Sequence, residues 1–263
     1  MKKIRLQKIL DHVNLHGSMT VEQAAALLSA SLPTVRRDFN FLAENGEVRR
    51  FYGGIARNFE AGDPALPFSL REGWFVERKD RLVSAAMKFL PTEGVLFIDG
   101  GTTTVHLSNY LKSKRLRVIT NSLALCRAFE ARYPDGEGPE ILLTGGIVNR
   151  KSAILLGPEA VRTVGHFHAD AFLMSGTALD DSFIYDNRDD AAEIQRAMIA
   201  NSEKLIMVTD SSKIGRKAMC RVEPVETITH LVTDFSPEHH ELLTGLRRRG
   251  VDVVILPAED RKA

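Results

Sequence analysis

Apolar residues recur at helical spacing three times within the first sixty residues. The spacing places each set on one face of a helix, as expected for a helix that packs against a core. The three sets are Ile9, Leu10 and Val13, then Ala24, Leu27 and Leu28, then Val35, Phe39 and Leu42. Gly17 follows the first set and can end its helix. The pattern predicts three short helices, with the second and third joined by a tight turn within residues 20–40.

Polar residues indicate where the second and third helices begin. Thr20 and Gln23 have the spacing of a capping box, in which the hydroxyl accepts from the Gln23 N–H and the amide reaches back to Thr20. Ser31 suits the N-cap of the third helix, and Pro33 falls in its first turn, where a missing N–H costs nothing. The residues left facing outward on the third helix are Thr34, Arg36, Arg37 and Asn40.

The outer face of the third helix admits two interpretations. Guanidinium groups on the exposed N-terminal half of a well-held helix suit the DNA major groove. The alternative is a small helical subdomain whose arginines are only solvated. The residues that follow favour the DNA-binding interpretation. Glu-Asn-Gly at 44–46 ends the helix, and apolar and polar residues alternate weakly over 48–52 before a Gly-Gly pair. This predicts a β-hairpin, the wing of a winged helix-turn-helix, on which Arg49 and Arg50 can contact the DNA backbone or reach the minor groove.

Two spaced motifs extend over the third helix and the wing. They are Ser31-x-x-Thr34-Val35-Arg36-Arg37-Asp38 and Arg50-x-Tyr52-Gly53-Gly54. Together they resemble the DNA-binding domain of the DeoR family of bacterial transcriptional regulators. Tyr52 stands where that family has histidine, and Phe39 stands where it usually has leucine. The resemblance implies DNA contacts from a set of helix and wing residues: Thr20, Ser31, Pro33, Thr34, Arg36, Arg37, Asn40, Arg49, Arg50 and Tyr52.

The stretch that follows the wing has no clean period. It contains prolines, glycines and the only tryptophan, Trp74, which predicts a linker. The predicted domains are therefore a winged helix-turn-helix over residues 1–57, a linker over 58–74 and an effector-binding domain over 75–257.

Beyond the linker, short apolar runs alternate with helical patterns. The runs predict strands at 95–98, 118–119, 141–143, 171–174, 205–208, 231–232 and 251–256. The intervening patterns predict helices at 82–90, 105–111, 123–131, 191–201 and 239–249. This alternation predicts the α/β class, with an N-terminal winged helix-turn-helix followed by an α/β sensor domain built on a mostly parallel sheet. Ligands of such sheets bind outside the carboxyl ends of the strands.

Polar residues follow five of the predicted strands. At 99–104, Asp-Gly-Gly-Thr-Thr-Thr opens a predicted helix, whose N-terminus and backbone N–H groups favour an anion, and Asp99 can accept from sugar hydroxyls. One such stretch also fits an ordinary capped turn, but five in register are more typical of one pocket. Lys213 is the natural counter-charge for a phosphate, although a lone lysine after a strand is commonly just solvated. The candidate effector-binding residues are Asp99, Gly101, Thr102, Thr103, Thr104, Thr120, Asn121, Ser122, Gly145, Gly146, Ser175, Gly176, Asp210 and Lys213.

The five stretches read Asp-x-Gly-Thr-Thr, Thr-Asn-Ser, Gly-Gly, Ser-Gly and Asp-x-Ser-Lys in chain order. They resemble the sensor domain of the DeoR family, so that the resemblance covers roughly residues 1–257. That domain is similar in fold to ribose-5-phosphate isomerase and to coenzyme A transferases. The resemblance implies control by a phosphorylated sugar or a related intermediate. Residues 183–188 depart from the glycine-threonine stretch that many members carry there, which leaves the identity of the effector open.

Charge and composition exclude several classes of protein. The net charge of +1 over 263 residues excludes a uniformly basic nucleic-acid coat, although residues 1–60 carry nine Lys/Arg against six Asp/Glu. Cys126 and Cys220 are too few for a disulfide framework and too far apart for a zinc motif. No apolar run approaches membrane-spanning length. We expect a cytoplasmic protein with no cofactor and no metal.

The sequence predicts a sequence-specific repressor of carbohydrate metabolism genes. Because one winged helix binds DNA with modest affinity, we expect a homodimer or homotetramer on paired half-sites. The alternative is an enzyme, a sugar-phosphate isomerase or a coenzyme A transferase with an appended DNA-binding head. Glu159, Asp189 and Glu193 are its candidate bases, and none has a visible acid or base partner in the sequence.

Overall fold

The computed structural model describes residues 2–51, 53–57 and 68–257. The chain divides into two compact units, residues 1–74 and 75–263. Tyr52 and residues 58–67 of the predicted linker lie outside the described residues. Residues 68–74 belong to the first unit, where Trp74 is buried beside Ala56. Within the described ranges, no helix is both long and apolar enough to cross a membrane.

The first unit has the helices and the wing that the sequence predicts. Its elements are α1 (Lys2–His16), β1 (Ser18–Thr20), α2 (Val21–Leu28), α3 (Leu32–Glu44), β2 (Val48–Phe51), β3 (Gly54–Arg57) and α4 (Phe68–Glu72). Strand β1 pairs antiparallel with β3, which completes a sheet of order β1-β3-β2. The sequence did not predict β1, because three residues are too few to show alternation.

The predicted apolar stripes meet in one core, with one exception. Phe39 of α3 and Ile9 of α1 are fully buried in this core, together with Ile55 of the wing. The prediction for Leu27 is wrong, since its side chain is 53% exposed. The inward face of α2 runs through residues 21, 24 and 28, at helical spacings of three and four, and Leu27 falls to one side of it.

Both helix starts lie where the sequence places them. The Thr20 hydroxyl accepts from the Gln23 N–H at 3.2 Å, and the Gln23 amide accepts from the Thr20 N–H at 2.9 Å, which confirms the capping box. Ser31 occupies the N-cap of α3, with Pro33 in the first turn. The Ser31 hydroxyl lies 2.9 Å from Thr34 Oγ1 and makes no cap bond to a backbone N–H. The start of α3 therefore depends on the Ser31 carbonyl, which accepts the first backbone bonds of the helix.

The two glycines of the wing are needed for different structural reasons. Gly53 turns the hairpin with φ of +85°, a conformation that costs glycine little. Gly54 lies so close to β1 that an added Cβ would sit 2.6 Å from the Met19 carbonyl oxygen. A side chain at Gly54 would therefore push β3 away from β1.

The second unit contains twelve strands and five helices among its described residues. The strands are β4 (Gly94–Ile98), β5 (Leu116–Thr120), β6 (Glu140–Leu143), β7 (Ile147–Asn149), β8 (Ile154–Leu156), β9 (Ala171–Met174), β10 (Ala178–Leu179), β11 (Phe183–Asp186), β12 (Leu205–Val208), β13 (Cys220–Pro224), β14 (His230–Asp234) and β15 (Asp252–Leu256). The helices are α5 (Val76–Ala86), α6 (Leu123–Arg132), α7 (Pro158–Val164), α8 (Asp189–Ala200) and α9 (His240–Arg248).

Seven of these strands form one parallel sheet, in the order β15-β14-β12-β9-β4-β5-β6. They are the seven strands that the sequence predicts. Alternate residues of each strand enter two separate apolar layers. Phe97 of β4 packs in the layer that contains α7, α8 and α9, while its neighbours Leu96 and Ile98 pack in the layer that contains α5 and α6. The sheet is thus covered on both faces, as a parallel sheet requires.

Several elements differ from the sequence prediction. The hairpin β7–β8, the antiparallel sheet β10-β11-β13 and helix α7 were not predicted, since each of these elements is only two to seven residues long. The helix expected at 105–111 is a 3-10 helix, Thr104–Asn109. Thr104 donates its hydroxyl to the carbonyl oxygens of Asp99 and Gly101, at 2.7 and 3.1 Å, and such local bonds compete with α-helical geometry.

Candidate DNA-binding face and effector site

Helix α3 exposes two arginines on its outer face, and its opposite face is packed within the first unit. Arg36 and Arg37 are exposed, whereas Phe39 is fully buried. Asp38 also turns inward and binds Arg5 of α1 through both of its carboxylate oxygens, with Arg5 Nη2 donating to Oδ1 at 3.0 Å. The ion pair joins α3 to α1, so the two arginines project from a helix that is fixed on its opposite side.

Arg50 of the wing binds α3. Its Nη1 donates to Asn40 Oδ1 at 2.7 Å and to the Arg36 carbonyl oxygen at 3.5 Å. Because Asn40 Oδ1 is already engaged, Asn40 offers an N–H donor at this surface. Arg49, one residue earlier on β2, is exposed.

Three of the other predicted DNA contacts lie at helix starts. Thr20 uses its hydroxyl in the capping box, and Ser31 uses its hydroxyl toward the half-buried Thr34. Pro33 is exposed in the first turn of α3. These residues set where α2 and α3 begin, and through that the direction in which Arg36 and Arg37 point. Tyr52 lies outside the described residues.

The Asp99 loop follows β4 and is largely buried. Thr102, Thr103 and Thr104 are each at most 5% exposed. The loop leads into the six-residue 3-10 helix, so the anion affinity expected from the N-terminus of a longer α-helix does not apply here. Any anion at this loop must instead be bound by backbone N–H groups and side chains.

The carboxyl ends of β4, β5 and β9 meet at this loop. The Gly100 N–H donates to Asn121 Oδ1 at 2.9 Å, which joins the end of β4 to the end of β5. A Cβ added to Gly101 would lie 3.3 Å from Ser175 Cβ, beyond the end of β9. Three of the five predicted stretches are therefore neighbours in space.

The hydroxyls that flank Asn121 are used within the fold. Thr120 donates to the Ile98 carbonyl oxygen at 2.6 Å, and Ser122 accepts from the Leu125 N–H at 3.1 Å as the cap of α6. Both residues are fully buried. They fix the backbone on either side of Asn121, whose side chain accepts from the Gly100 N–H and acts on Asp99 to lower its pKa.

The other three glycines that were predicted to contact the effector are explained by backbone conformation or by close packing. Gly145 and Gly146 turn from β6 to β7 with φ of +70° and +106°. A Cβ added to Gly146 would lie 2.5 Å from the Leu156 carbonyl oxygen, and one added to Gly176 would lie 2.3 Å from Met207 Cε. Their presence does not by itself indicate a ligand contact.

Asp99 belongs to a pair of buried acids that the sequence did not predict. Gln195 of α8 donates through Nε2 to Asp99 Oδ2 at 2.9 Å and to Asp186 Oδ2 of β11 at 3.1 Å. Burial, followed by the negative charge of Asp186, raises the pKa of Asp99 from 3.8 to about 7, while hydrogen bonds from Gln195 and the Gly100 N–H oppose the rise. Asp99 therefore titrates near neutral pH.

Lys213 and Asp210 follow β12, as predicted. Lys213 Nζ lies 3.9 Å from Asp210 Oδ2. Burial disfavours a charged Asp210, but the charge of Lys213 and the hydrogen bonds from Ser212 outweigh burial and hold the pKa of Asp210 below its usual value. The two side chains are thus a charged pair at neutral pH.

Arg78 of α5 is a second cation at this part of the sheet edge, and the sequence did not predict it. Its Nη2 donates to Ser211 Oγ at 2.8 Å and to Asp234 Oδ2 at 2.5 Å, beyond the ends of β12 and β14. Its Nε is buried and has no hydrogen-bond partner in the described part of the chain. Arg78 and Lys213 are thus two cationic side chains at this edge, each paired with a carboxylate.

Comparisons with known proteins agree with both halves of this description. The family model for a DeoR-like helix-turn-helix domain matches residues 5–60, and the model for a DeoR C terminal sensor domain matches residues 74–235. A glycerol-3-phosphate regulon repressor of Haemophilus influenzae is 30% identical over 90% of this chain and 91% of its own length.

Two further relatives come from Escherichia coli. A putative aga operon transcriptional repressor of strain O157:H7 is 27% identical over 96% of this chain and 93% of its own length. An L-fucose operon activator of strain K12 is 26% identical over 93% of this chain and the whole of its own length. The matches cover the DNA-binding unit and the sensor unit alike, and on this evidence the chain belongs to the DeoR family of transcriptional regulators.

Proposed function

We propose that the chain is a bacterial transcriptional repressor of carbohydrate metabolism genes, controlled by a phosphorylated sugar that binds the second unit. The observation that carries the proposal is α3, which exposes Arg36 and Arg37 from a helix-turn-helix attached to a DeoR sensor domain. The names of the relatives support carbohydrate genes as the target. The enzymatic alternative is not retained, because both family models describe a regulator.

On the DNA side, Arg36 and Arg37 contact base edges and phosphates of one half-site. Arginine suits guanine because its guanidinium can donate to two acceptors at once. Arg50 holds the wing on α3, and Arg49 binds phosphate. A single head of this size binds weakly, so two or more copies of the chain act on paired half-sites as a homodimer or homotetramer.

On the effector side, the phosphate lies near Lys213 and Arg78, and the sugar hydroxyls lie near Asp99 and Asn121. Arg78 Nε is a buried donor without a hydrogen-bond partner among the described residues, which favours an acceptor arriving from outside. Effector binding changes the affinity for DNA, and by linkage DNA changes the affinity for the effector by the same factor.

The DNA assignment is tested by replacing Arg37 with alanine in the full chain. At fixed salt, we expect the affinity of the variant for duplexes taken from upstream of its own gene to fall at least tenfold. Its affinity for duplexes of shuffled sequence should fall less. Arg132→Ala removes the same charge from an exposed position of the second unit and should leave both affinities unchanged. Equal specific affinities for the Arg37 variant and the wild type would refute the assignment of α3.

The effector assignment is tested by titrating phosphorylated sugars into the complex of the chain with its operator. We expect at least one compound to change operator occupancy, and Lys213→Ala to weaken that compound's action at least tenfold. Lys112→Ala, an exposed lysine of the same unit, is the matched control. If no phosphorylated sugar changes operator occupancy, the sensor half of the proposal is wrong.

A further inference from the structure

Two buried carboxylates share one neutral donor at the Asp99 loop. Asp99 is 3% exposed, Asp186 is 9% exposed and Gln195 is 3% exposed. A single nitrogen, Gln195 Nε2, donates to both acids at 2.9 and 3.1 Å. One side-chain amide therefore separates two acidic groups beside the Asp99 loop.

No cation donates to either acid within the described part of the chain. Asp99 Oδ1 accepts from the Gly100 N–H at 2.7 Å. Asp186 accepts from the Thr177 hydroxyl and the Arg188 backbone N–H, both at 3.1 Å. The Arg188 guanidinium donates to Asp190, with Nε at 2.9 Å from Oδ1, and acts on Asp186 only through its charge. The two acids are thus close and buried, and the hydrogen bonds that they accept from the described residues all come from neutral groups, so a cationic donor would stabilise the pair.

One side-chain atom beside the acids also lacks a partner. Gln195 Oε1 is buried and has no hydrogen-bond partner among the described residues. It belongs to the same amide whose nitrogen binds both acids. Leaving a buried polar atom without a partner is costly, so one acceptor remains beside the acids for a molecule that donates.

We propose that the effector is a phosphorylated amino sugar whose free ammonium group binds Asp99 and Asp186, with Gln195 Oε1 accepting a further hydrogen bond. The proposal rests on the proposed function and names the class of sugar for that same site. An ammonium group has three donors, and they match two carboxylates and one amide oxygen. A hydroxyl in its place donates once and leaves the two acids without a cationic donor.

The proposal is tested with pairs of sugar phosphates in which one member carries an amino group where the other carries a hydroxyl. The probes are glucosamine 6-phosphate with glucose 6-phosphate and galactosamine 6-phosphate with galactose 6-phosphate, titrated calorimetrically into the full chain at pH 7.5. We expect one amino compound to bind at least tenfold more tightly than its hydroxy partner. N-acetylation removes the charge, so the N-acetylated compound should lose that advantage.

Two results would overturn the amino-sugar proposal. The first is that neither amino compound binds at least tenfold more tightly than its hydroxy partner. The second is that none of these compounds binds. Neither result decides the sugar-phosphate function, which is overturned only if no phosphorylated sugar changes operator occupancy.

Two variants test whether the acid pair is the reason for the preference. Gln195→Lys supplies an ammonium group from the chain itself, and we expect the amino-over-hydroxy preference to fall below threefold. Asp186→Asn removes one of the two carboxyl groups and should reduce the preference in the same direction, which keeps the test usable if the lysine variant does not fold. Gln7→Lys makes the same charge change at an exposed position of α1 and should leave the preference intact. A preference that persists in well-folded Gln195 and Asp186 variants would overturn the proposal.

Discussion

Asp99 makes the stability of the second unit depend on pH in a direction opposite to that of most surface carboxylates. Its pKa is raised from 3.8 to about 7, first by burial and then by Asp186. Between these two pH values the folded chain keeps the Asp99 proton and the unfolded chain releases it. The stabilisation from proton uptake is complete below pH 3.8 and is lost as the pH rises through 7.

The size of the effect follows from the two pKa values. Each pH unit between them changes the free energy of unfolding by about 1.4 kcal/mol, so the full gap corresponds to about 4 kcal/mol. From pH 5 to 7.5 the expected loss is about 3 kcal/mol. Asp210, whose pKa is lowered, loses its contribution only in more acidic solution. The lowered pKa values of His12 and His106 act in the opposite direction near pH 6, so the comparison needs a variant that retains both histidines.

The assay compares wild type and Asp99→Asn by urea unfolding, followed by far-ultraviolet circular dichroism at pH 5 and 7.5. Asparagine cannot ionise, and it loses one hydrogen bond at a cost of about 1 kcal/mol at both pH values. We therefore expect the stability of wild type relative to the variant to fall by about 3 kcal/mol from pH 5 to 7.5. Asp135→Asn, at an exposed site, is the control and should show no such change. A wild-type-to-variant difference that is the same at both pH values would refute the assignment of a neutral Asp99.

Three further predictions concern the first unit and DNA. Asp38→Ala removes the partner of Arg5 and should destabilise the unit by about 1–2 kcal/mol in urea unfolding, less than for a fully buried pair because Arg5 is 25% exposed and can turn to water. Gly54→Ala should cost about 1–3 kcal/mol in thermal melts because its Cβ meets the Met19 carbonyl oxygen, whereas Gly245→Ala, in open space on α9, should be neutral or slightly stabilising. Affinity for the operator should fall steeply with salt in filter-binding titrations, and a flat salt dependence would contradict phosphate contacts.

The main sheet could be predicted from the sequence because its strands are buried on both faces. A run such as 205–208 is entirely apolar and bounded by polar residues, and a parallel strand under helices requires this. Parallel topology then places the carboxyl ends at one edge, so that Asp99, Asn121 and Ser175 could be grouped before their distances were known. The first unit was predictable for a similar reason, since the capping box and the apolar spacing of α3 are local signals.

The acid pair could not be predicted, because its members are far apart in sequence and Asp186 lies on a strand that was not predicted. Asp186 ends β11, a four-residue strand, and Gln195 reaches Asp99 across 96 positions. The sequence drew attention to Asp189 and Glu193 instead, and both are exposed. One signal was present: Gln195 is the only polar residue on the buried face of α8, between Ile194 and Met198. A polar side chain in such a position is expected to have a buried partner.

The parts of the effector site differ in how freely they can change. Gly100 cannot accept a side chain, because a Cβ there would lie 2.2 Å from Ile154 Cγ2, and the hydroxyl of Thr120 holds the backbone of β4. Gln195 and Asp186 do not hold the backbone of the seven-stranded sheet, since Gln195 belongs to α8 and Asp186 to the small antiparallel sheet. A change at either position alters the charge that meets the effector while the seven strands keep their register. Because the charge at residues 186 and 195 can vary separately from the sheet, one sensor fold can serve effectors of different charge, and the neutral amide between two acids is the feature that makes this chain suited to a cationic group.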